Sequence, residues 1–200
     1  MQKNFDAYDR FQVLGQNLQN FRDGFGTFSV LASRIMIDEK LGIEDRNGVA
    51  QFDPKKWYPL KNNLKAFYRI SNEYGGIILR QMATVVPKYA QLPPTVVDIH
   101  SALQSLDVAY HLNHGAGDKP LFSLQTGKME EGIGHYRYQA VVGKKQLLCV
   151  SDTPYPCDFD EGLVLAMAQR FEPSATLVHQ NPTTCRKKGG MSCTYSVGWK

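Results

Sequence analysis

The 200-residue sequence lacks the features that mark several large classes of protein. No apolar run approaches the roughly 18 residues that a membrane-spanning helix needs, and the first residues do not follow the basic-then-apolar pattern of a signal peptide. Basic residues form no stripe, since the densest run is only Arg186, Lys187 and Lys188, which argues against nucleic-acid binding. We therefore expect a cytoplasmic protein that binds neither membranes nor nucleic acids.

Cysteine is also scarce, and it occurs in no CxxC pair. Four cysteines are too few for a disulfide scaffold, and they would be reduced thiols in the cytoplasm. A Gly-rich phosphate-binding loop that opens a helix is missing as well. What is present is a mixture of 42% hydrophobic and 21% charged residues with a net charge of +4. Residues 1–200 are therefore predicted to form a single domain.

The first part of the chain, residues 1–114, is predicted to be mostly helical. Apolar residues recur at helical spacing over 5–18 and again over 28–41. A further helix is expected to begin at Asp53-Pro54 or at Pro59, because aspartate caps helices and proline suits the first turn.

The second part, residues 133–199, has a different pattern. Short alternating runs and turn residues predict the order β-β-α-β-β, with elements at 134–142, 144–151, 161–171, 176–179 and 193–199. Asp158 or Asp160 is the expected cap of the helix. The chain is therefore predicted to have an α+β fold, in which a helical N-terminal half packs on a small antiparallel sheet.

Cysteine and histidine residues of this second part are candidates for a metal site. A helix between two hairpins would return the last two strands beside the first two, so that strand ends meet. The candidate ligands are Cys157, His179, Cys185 and Cys193, because reduced cysteine and neutral histidine suit tetrahedral zinc. The spacing leaves two alternatives open, namely buried thiols that fill a core and a redox pair.

The helix predicted over 95–114 carries polar side chains on one face. They recur at steps of three and four and are His100, Gln104, Asp107, His111 and His114. Three of them, Asp107, His111 and His114, could bind a divalent metal, or a single histidine could ligate haem iron. His135 could join them across the fold. The same face could instead be a solvated surface or the polar wall of a ligand pocket.

The order of elements and the final segment resemble a known family. The two halves and the ending Cys185-Arg-Lys-Lys-Gly-Gly-Met-Ser-Cys193-Thr-Tyr-Ser-Val are similar to the 4-vinyl-reductase-like sensor domain. The wider superfamily includes haem nitric oxide/oxygen-binding domains and TRAPP vesicle-tethering subunits. The resemblance covers about 133–199 and is specific at Cys185, at Gly189 or Gly190, and at Cys193.

The resemblance implies different cofactors in different branches. Zinc-holding relatives use the two tail cysteines, an earlier cysteine that Cys157 would match, and a glutamate that His179 would have to replace here. The haem-binding branch uses a helical histidine, to which Asp98-Ile-His100 is similar. It also uses a Tyr-x-Ser-x-Arg strand, of which the segment Cys149-Val-Ser151-Asp-Thr153 keeps only the serine. Zinc is therefore the expected cofactor, with haem ranked below it.

These observations predict a sensor that binds a small, partly apolar ligand between its helical half and its sheet. The expected ligand contacts are His100, Tyr110, His111, His114 and His135. The ligand-induced signal would pass to a signalling protein or through a homodimer. The resemblance implies that the dimer contact is made by N-terminal helices, such as the predicted helix with Phe5, Tyr8 and Phe11. A metal-binding protein and a non-catalytic scaffold are the alternatives. An enzyme is not expected, because neither Cys149 nor Cys157 lies in a cysteine-protease signature.

Overall fold

The computed structural model of the chain describes residues 4–90 and 92–200. The α-helices in these ranges are α1 (Gly15–Gly24), α2 (Ser29–Asp38), α3 (Leu60–Tyr74), α4 (Gly76–Ala83), α5 (Val86–Tyr89), α6 (Ile99–Leu112) and α7 (Cys157–Phe171). The strands are β1 (Phe11–Leu14), β2 (Ile43–Glu44), β3 (Ala50–Gln51), β4 (Trp57–Pro59), β5 (His114–Ala116), β6 (Lys119–Pro120), β7 (Tyr136–Ala140), β8 (Gln146–Ser151), β9 (Thr176–Gln180) and β10 (Cys193–Gly198). The predicted α+β fold class is confirmed. Within the described ranges, no helix is long and apolar enough to cross a membrane.

The C-terminal half follows the predicted order of elements. β7, β8, α7, β9 and β10 succeed one another, and the four strands form an antiparallel sheet in the order β7-β8-β10-β9. Along β8, Leu147, Cys149 and Ser151 are buried while the residues between them are less so, as expected for side chains that alternate between two faces. Helix α6 packs against β7, and α7 packs against β9 and β10.

The N-terminal half contains strands that its periodicity does not predict. The helical spacing over 5–18 predicts one helix, but Phe11–Leu14 is a strand and α1 begins only at Gly15. β1 pairs with β4 and β5 in a second sheet of order β4-β1-β5-β6, and β2 pairs with β3. The expectation of one helix is wrong here because pairing with distant strands overrides a short local pattern.

Helix α3 begins after Pro59, which decides between the two predicted starts. Proline suits this place because its φ is fixed near the helical value and it needs no hydrogen-bond acceptor. The inner face of α3 carries four large apolar side chains that are fully buried, Leu60, Leu64, Phe67 and Ile70. Burial of each such side chain contributes about 1.5–3 kcal/mol to stability.

Helix α6 is shorter than the predicted segment 95–114. It begins after Asp98, whose carboxylate accepts a hydrogen bond from the Ser101 backbone N–H at 2.7 Å, while the Ser101 Oγ accepts from the Asp98 N–H at 3.0 Å. This reciprocal capping box fixes the start of the helix. The helix ends at Leu112, so His114 lies beyond it, in β5.

Helix α7 begins at Cys157 rather than at the predicted position 161, with Pro156 as its N-cap. Asp158 and Asp160 therefore lie in the first turn and are not caps, although a negative charge there still favours the helix dipole. The helix crosses α4 at close range. A Cβ at Gly162 would lie 2.3 Å from a backbone carbonyl oxygen of α4, so this crossing requires glycine.

Candidate functional site

A cavity of about 560 Å³ lies among helices α1, α5, α6 and α7. Its mostly apolar wall is formed by Phe21, Val86, Pro87, Tyr89, Ala90, Leu106, Ala109, Tyr110, Leu112, Tyr136, Tyr155, Phe159, Leu163 and Met167. Its more polar side is formed by Gln16, Asn17, Asn20, Asn113 and His114. Small-molecule sites typically enclose about 300–1,000 Å³ and combine apolar walls with a few polar groups. Both the size and the lining of this cavity fit that description.

His114 supplies the imidazole on the cavity wall, and it is buried. Its Nδ1 lies 2.8 Å from the backbone carbonyl oxygen of Tyr110. Because a carbonyl can only accept, Nδ1 carries the proton and donates it. Nε2 therefore accepts, and it does so from the Tyr155 hydroxyl at 2.8 Å. Burial lowers the pKa of His114 to about 4, so the ring is neutral at pH 7.

Tyr155 connects His114 to helix α3. Its hydroxyl accepts a hydrogen bond from the Asn63 amide nitrogen at 3.0 Å while donating to His114. Burial raises the pKa of the Tyr155 hydroxyl, so the group keeps its proton. Asn63, Tyr155 and His114 thus form an uncharged chain of buried hydrogen bonds beside the cavity, which we call the neutral chain.

A second buried network carries charge and surrounds Asp160, which is fully buried. Its carboxylate accepts hydrogen bonds from the Tyr136 hydroxyl at 2.5 Å, Ser151 Oγ at 2.6 Å, Thr153 Oγ1 at 2.9 Å and the Arg186 guanidinium. Arg186 also donates to the backbone carbonyls of Thr153 and Tyr155. Burial is the largest single influence on Arg186 and lowers its pKa, but Asp160, Tyr195 and Cys193 together outweigh it, so the pKa is raised. We call Asp160, Arg186 and the three hydroxyls the charged network.

The structure places the predicted ligand contacts partly in the cavity and partly outside it. Tyr110 and His114 line the cavity. His100 lies against the C-terminal sheet instead, where its Nδ1 is 2.5 Å from the Tyr138 hydroxyl oxygen and its ring meets that of Trp199. The histidine that resembles the haem ligand of the related branch is therefore not on the cavity wall.

His111 and His135 lie close to Asp107, and none of the three residues lines the cavity. His135 Nδ1 lies 3.0 Å from Asp107 Oδ2, and its Nε2 lies 2.7 Å from Glu131 Oε2. Burial lowers the pKa of His135, but the hydrogen bonds to Asp107 and Glu131 outweigh this and raise it. Of the predicted group Asp107, His111 and His114, the structure keeps the first two and replaces His114 with His135.

Three of the four predicted tail ligands converge. The Sγ atoms of Cys157, Cys185 and Cys193 lie within 4.8 Å of one another, and all three side chains are buried. A hydrogen bond with Cys157 and the charge of Arg186 lower the pKa of the Cys193 thiol. His179 lies on β9 and is not part of this group. The topology therefore brings the cysteines together as expected but leaves the histidine out.

Sequence reasoning missed Asn63, Tyr155 and Asp160. Asn63 could have been recognised, because it interrupts the apolar stripe of α3 next to Leu64. A polar side chain at a buried position needs a hydrogen-bond partner. Nothing near Tyr155 in the sequence indicates that its hydroxyl meets a ring 41 residues earlier in the chain. Asp160 looked like a helix cap, and only the tertiary structure shows that it is buried.

No protein-family model and no curated protein matches the sequence. Among solved structures, an H-NOX protein from S. oneidensis in the Fe(II) ligation state is similar, with a TM-score of 0.63 and 15% identity over 94% of this chain and 96% of that one. The fold is the H-NOX fold. An unliganded Fe(II) H-NOX protein from K. algicida gives a TM-score of 0.60 and 14% identity, over 94% and 96% of the two chains. An oxygen-binding H-NOX domain related to soluble guanylate cyclases gives 0.59 and 14%, over 93% and 94%.

Of the proteins that the sequence was expected to resemble, these comparisons show the fold of the haem nitric oxide/oxygen-binding domains. The 4-vinyl-reductase-like and tethering branches stay predictions. The ranking of cofactors is corrected. Zinc was expected ahead of haem, but the solved H-NOX structures are described by ferrous iron and haem, which favours haem over zinc.

Proposed function

We propose that this chain is a non-enzymatic sensor domain that binds one small, largely apolar molecule in the cavity among α1, α5, α6 and α7. The observation that carries the proposal is the cavity itself, whose apolar wall is interrupted by one neutral imidazole and several tyrosines. Protein interiors are close-packed and contain few voids larger than a water molecule. An opening of about 560 Å³ with this lining therefore supports a binding site for a small molecule.

Haem is the ligand that we propose. The H-NOX proteins that share this fold are described by haem or ferrous iron. In this chain His114 suits an iron atom, because its ring is neutral and a backbone carbonyl holds its Nδ1–H, the arrangement typical of metal-ligating histidines. Its Nε2 would exchange the Tyr155 hydroxyl for the iron. When bound, haem would supply an iron atom with a free position for a small gas molecule.

In this chain the haem propionates would accept hydrogen bonds from side-chain amides rather than from an arginine or a lysine. Within the described residues, no lysine or arginine lines the cavity. Gln16, Asn17 and Asn20 of α1 carry amide groups on its wall and can donate hydrogen bonds to carboxylates. This accounts for the loss of the Tyr-x-Ser-x-Arg pattern at 149–153, where Ser151 and Thr153 are instead bound to Asp160.

The neutral chain gives the sensor a route for its output. A ligand that takes Nε2 of His114 releases the Tyr155 hydroxyl, and Tyr155 directly precedes Pro156, the N-cap of α7. We propose that α7 responds to this change and that a signalling protein or a second copy of the chain recognises the response. For such a response to occur, the ligand must bind with different free energies when the Tyr155 hydroxyl is bonded to His114 and when it is released.

A binding rather than a catalytic role agrees with the state of the candidate nucleophiles. Burial raises the pKa of the Cys149 thiol. A hydrogen bond with Cys193 and burial raise the pKa of Cys157. The thiolate is the nucleophilic form of cysteine, so both side chains are held in the unreactive form.

Titration with two porphyrins tests the proposal. Purified protein is titrated with haem, followed by its Soret absorption, and with iron-free protoporphyrin IX, followed by fluorescence. We expect one molecule of either porphyrin per chain. His114→Gln should weaken haem binding roughly tenfold or more and change the Soret spectrum, while leaving protoporphyrin binding within about twofold, because only haem needs the imidazole.

Two further variants serve as controls. His100→Gln removes a histidine of α6 that lies outside the cavity and should bind both porphyrins like the wild type. Ala109→Trp fills the cavity and should weaken both. If haem binding is unchanged in His114→Gln, iron ligation by His114 is wrong. If neither porphyrin nor an apolar dye binds the wild type, the sensor proposal itself fails.

A further inference from the structure

A group of ligating side chains lies outside the cavity lining, where α6 meets the loop before β7. One carboxylate oxygen or ring nitrogen from each of Asp107, His111 and His135 lies within 4.8 Å of the others. The Asp107 carboxylate is closer to both rings, with its Oδ2 3.0 Å from His135 Nδ1 and its Oδ1 3.6 Å from His111 Nδ1. Glu131 adds a second carboxylate, 2.7 Å from the other ring nitrogen of His135.

The backbone holds these side chains in place. Asp107 and His111 are one turn apart on α6, so they share a face of the helix. On the other side, the His135 N–H donates to Asp152 Oδ1 at 2.6 Å, and the N–H of Tyr136 donates to Asp107 Oδ1 at 3.0 Å. A metal site needs such outer hydrogen bonds to orient its ligands.

Gly134 lets the loop approach closely enough for these bonds. Its φ is +74°, and a Cβ at this position would lie 2.4 Å from the backbone oxygen of Asp152. Only glycine adopts this conformation at this distance without strain. His135, the next residue, is therefore held against α6 by a local feature of the backbone.

His111 offers a lone pair that the described residues leave unused. Its ring is fully buried, and Nδ1 lies 2.8 Å from the backbone carbonyl of Asp107, so Nδ1 carries the proton. In the described parts of the chain, Nε2 has no hydrogen-bond partner. A buried polar atom without a partner costs about 1–3 kcal/mol and calls for an explanation. A bound ion would provide one.

We propose that Asp107, His111 and His135 bind one divalent transition-metal ion of the Mn(II), Fe(II), Co(II) and Ni(II) series, with Glu131 holding the opposite ring nitrogen of His135, Nε2, as an outer carboxylate. Mixed imidazole and carboxylate ligands suit these ions. Bonds of about 2.1 Å place neighbouring ligand atoms roughly 3–4 Å apart, which agrees with the 3.0 Å between Asp107 Oδ2 and His135 Nδ1. The two carboxylates offset the charge of the ion. The side chains of Asp107 and His135 are 23% and 16% exposed, so an ion can reach them from solvent.

Titration with Co(II) tests this site in the full chain without porphyrin. Isothermal titration calorimetry gives the affinity, and the visible spectrum reports the ligands. We expect one Co(II) per chain, with d–d bands and no thiolate charge-transfer band. Asp107→Asn and His135→Gln should each weaken binding tenfold or more, and Glu131→Gln should weaken it less.

His100→Gln is the matched control, because it removes a histidine of the same helix that lies outside the group. It should bind Co(II) like the wild type. Circular dichroism of each metal-free variant establishes that the variant is folded. The proposal is overturned if the wild type takes up no Co(II), if His135→Gln binds it unchanged, or if a charge-transfer band places the ion on Cys157, Cys185 and Cys193. The porphyrin titrations are unaffected by any of these results, since none of the proposed ligands lines the cavity.

Discussion

The neutral chain and the charged network are two buried polar systems that meet at one residue, Tyr155. The hydroxyl of Tyr155 binds His114 and Asn63, and its backbone carbonyl accepts a hydrogen bond from Arg186. The neutral chain contains no ionised group and lies on the cavity wall. The charged network joins β7, β8, α7 and the tail around the fully buried carboxylate of Asp160.

The difference between the two systems follows from charge. Exchange of one neutral hydrogen bond for another changes the free energy by only about 0.5–1.5 kcal/mol, whereas an unpaired buried charge costs several kcal/mol. The charged network therefore keeps its partners and holds the sheet to α7. The neutral chain can exchange a partner for a ligand without unfolding the protein. The exchangeable imidazole and hydroxyl of His114 and Tyr155 thus lie on the cavity wall, whereas Asp160 and Arg186, which carry the charge, do not.

The largest effect is expected from the charged network. Asp160→Asn leaves the Arg186 guanidinium buried without its counter-charge, and it should lower the free energy of unfolding by about 3–5 kcal/mol. Urea denaturation of the variant and the wild type measures this difference. A loss below about 1 kcal/mol would show that the network does not differ from a surface ion pair.

A smaller effect is expected from the neutral chain. Tyr155→Phe removes the partner of His114 Nε2 and of the Asn63 amide, and it should lower the free energy of unfolding by about 2–3 kcal/mol, since each unpaired buried group costs about 1–3 kcal/mol. The same substitution should strengthen haem binding, because His114 no longer has to release a hydroxyl. Weaker haem binding in a folded Tyr155→Phe protein would contradict the exchange.

Acid should destabilise the protein through His114. Its folded pKa of about 4 lies below the unfolded value of 6.5, so the unfolded state binds the proton first as the pH falls. The free energy of unfolding should therefore decrease between pH 6.5 and pH 4, by about 2 kcal/mol at pH 5 from this group alone. Urea denaturation at pH 7 and pH 5 measures the decrease. In His114→Gln, the decrease in the free energy of unfolding between pH 7 and pH 5 should be smaller by about 2 kcal/mol. Equal decreases in both proteins would contradict a lowered pKa for His114.

The smallest effect is expected at the surface. Arg137 pairs with Asp152 at 2.7 Å, but its side chain is 54% exposed, so water and salt screen the pair. Arg137→Ala should lower the free energy of unfolding by less than about 1 kcal/mol. The same denaturation experiment provides the reference for the Asp160→Asn result. A loss as large as that of Asp160→Asn would remove the distinction between buried and exposed charge.

Most of the C-terminal half could be predicted from the sequence because its signals are local. The alternation of β8, the turn before it and the amphipathic α7 lie within a few residues of one another. β1, β5 and β6 could not be predicted in this way. They have two to four residues each, and β1 pairs with partners far along the chain, as at Phe11 and Ala116. A pattern that short fits a helix as well as a strand.

The candidate site was predicted in part for the same reason. His114 follows the polar pattern predicted for residues 95–114, and Tyr110 belongs to the apolar face of the same segment, so the sequence indicates both. The cavity itself arises where four helix faces fail to meet, and no single periodicity contains that information. His135 approaches Asp107 only because Gly134 bends the loop towards α6. Partners of this kind are separated by dozens of residues and depend on the tertiary structure.

The close crossing at Gly162 has a mechanical consequence. With no side chain between their backbones at this crossing, α4 and α7 are in direct contact, so we expect the two helices to move together. Gly75, with φ +88°, joins α4 to α3 and is the natural hinge of that pair. Gly76, the next residue, lies against Asp158 in the first turn of α7, where a Cβ would come within 2.3 Å of the carboxylate, so we expect a small rotation of α7 to reach this hinge at the same end of the helix at which it starts.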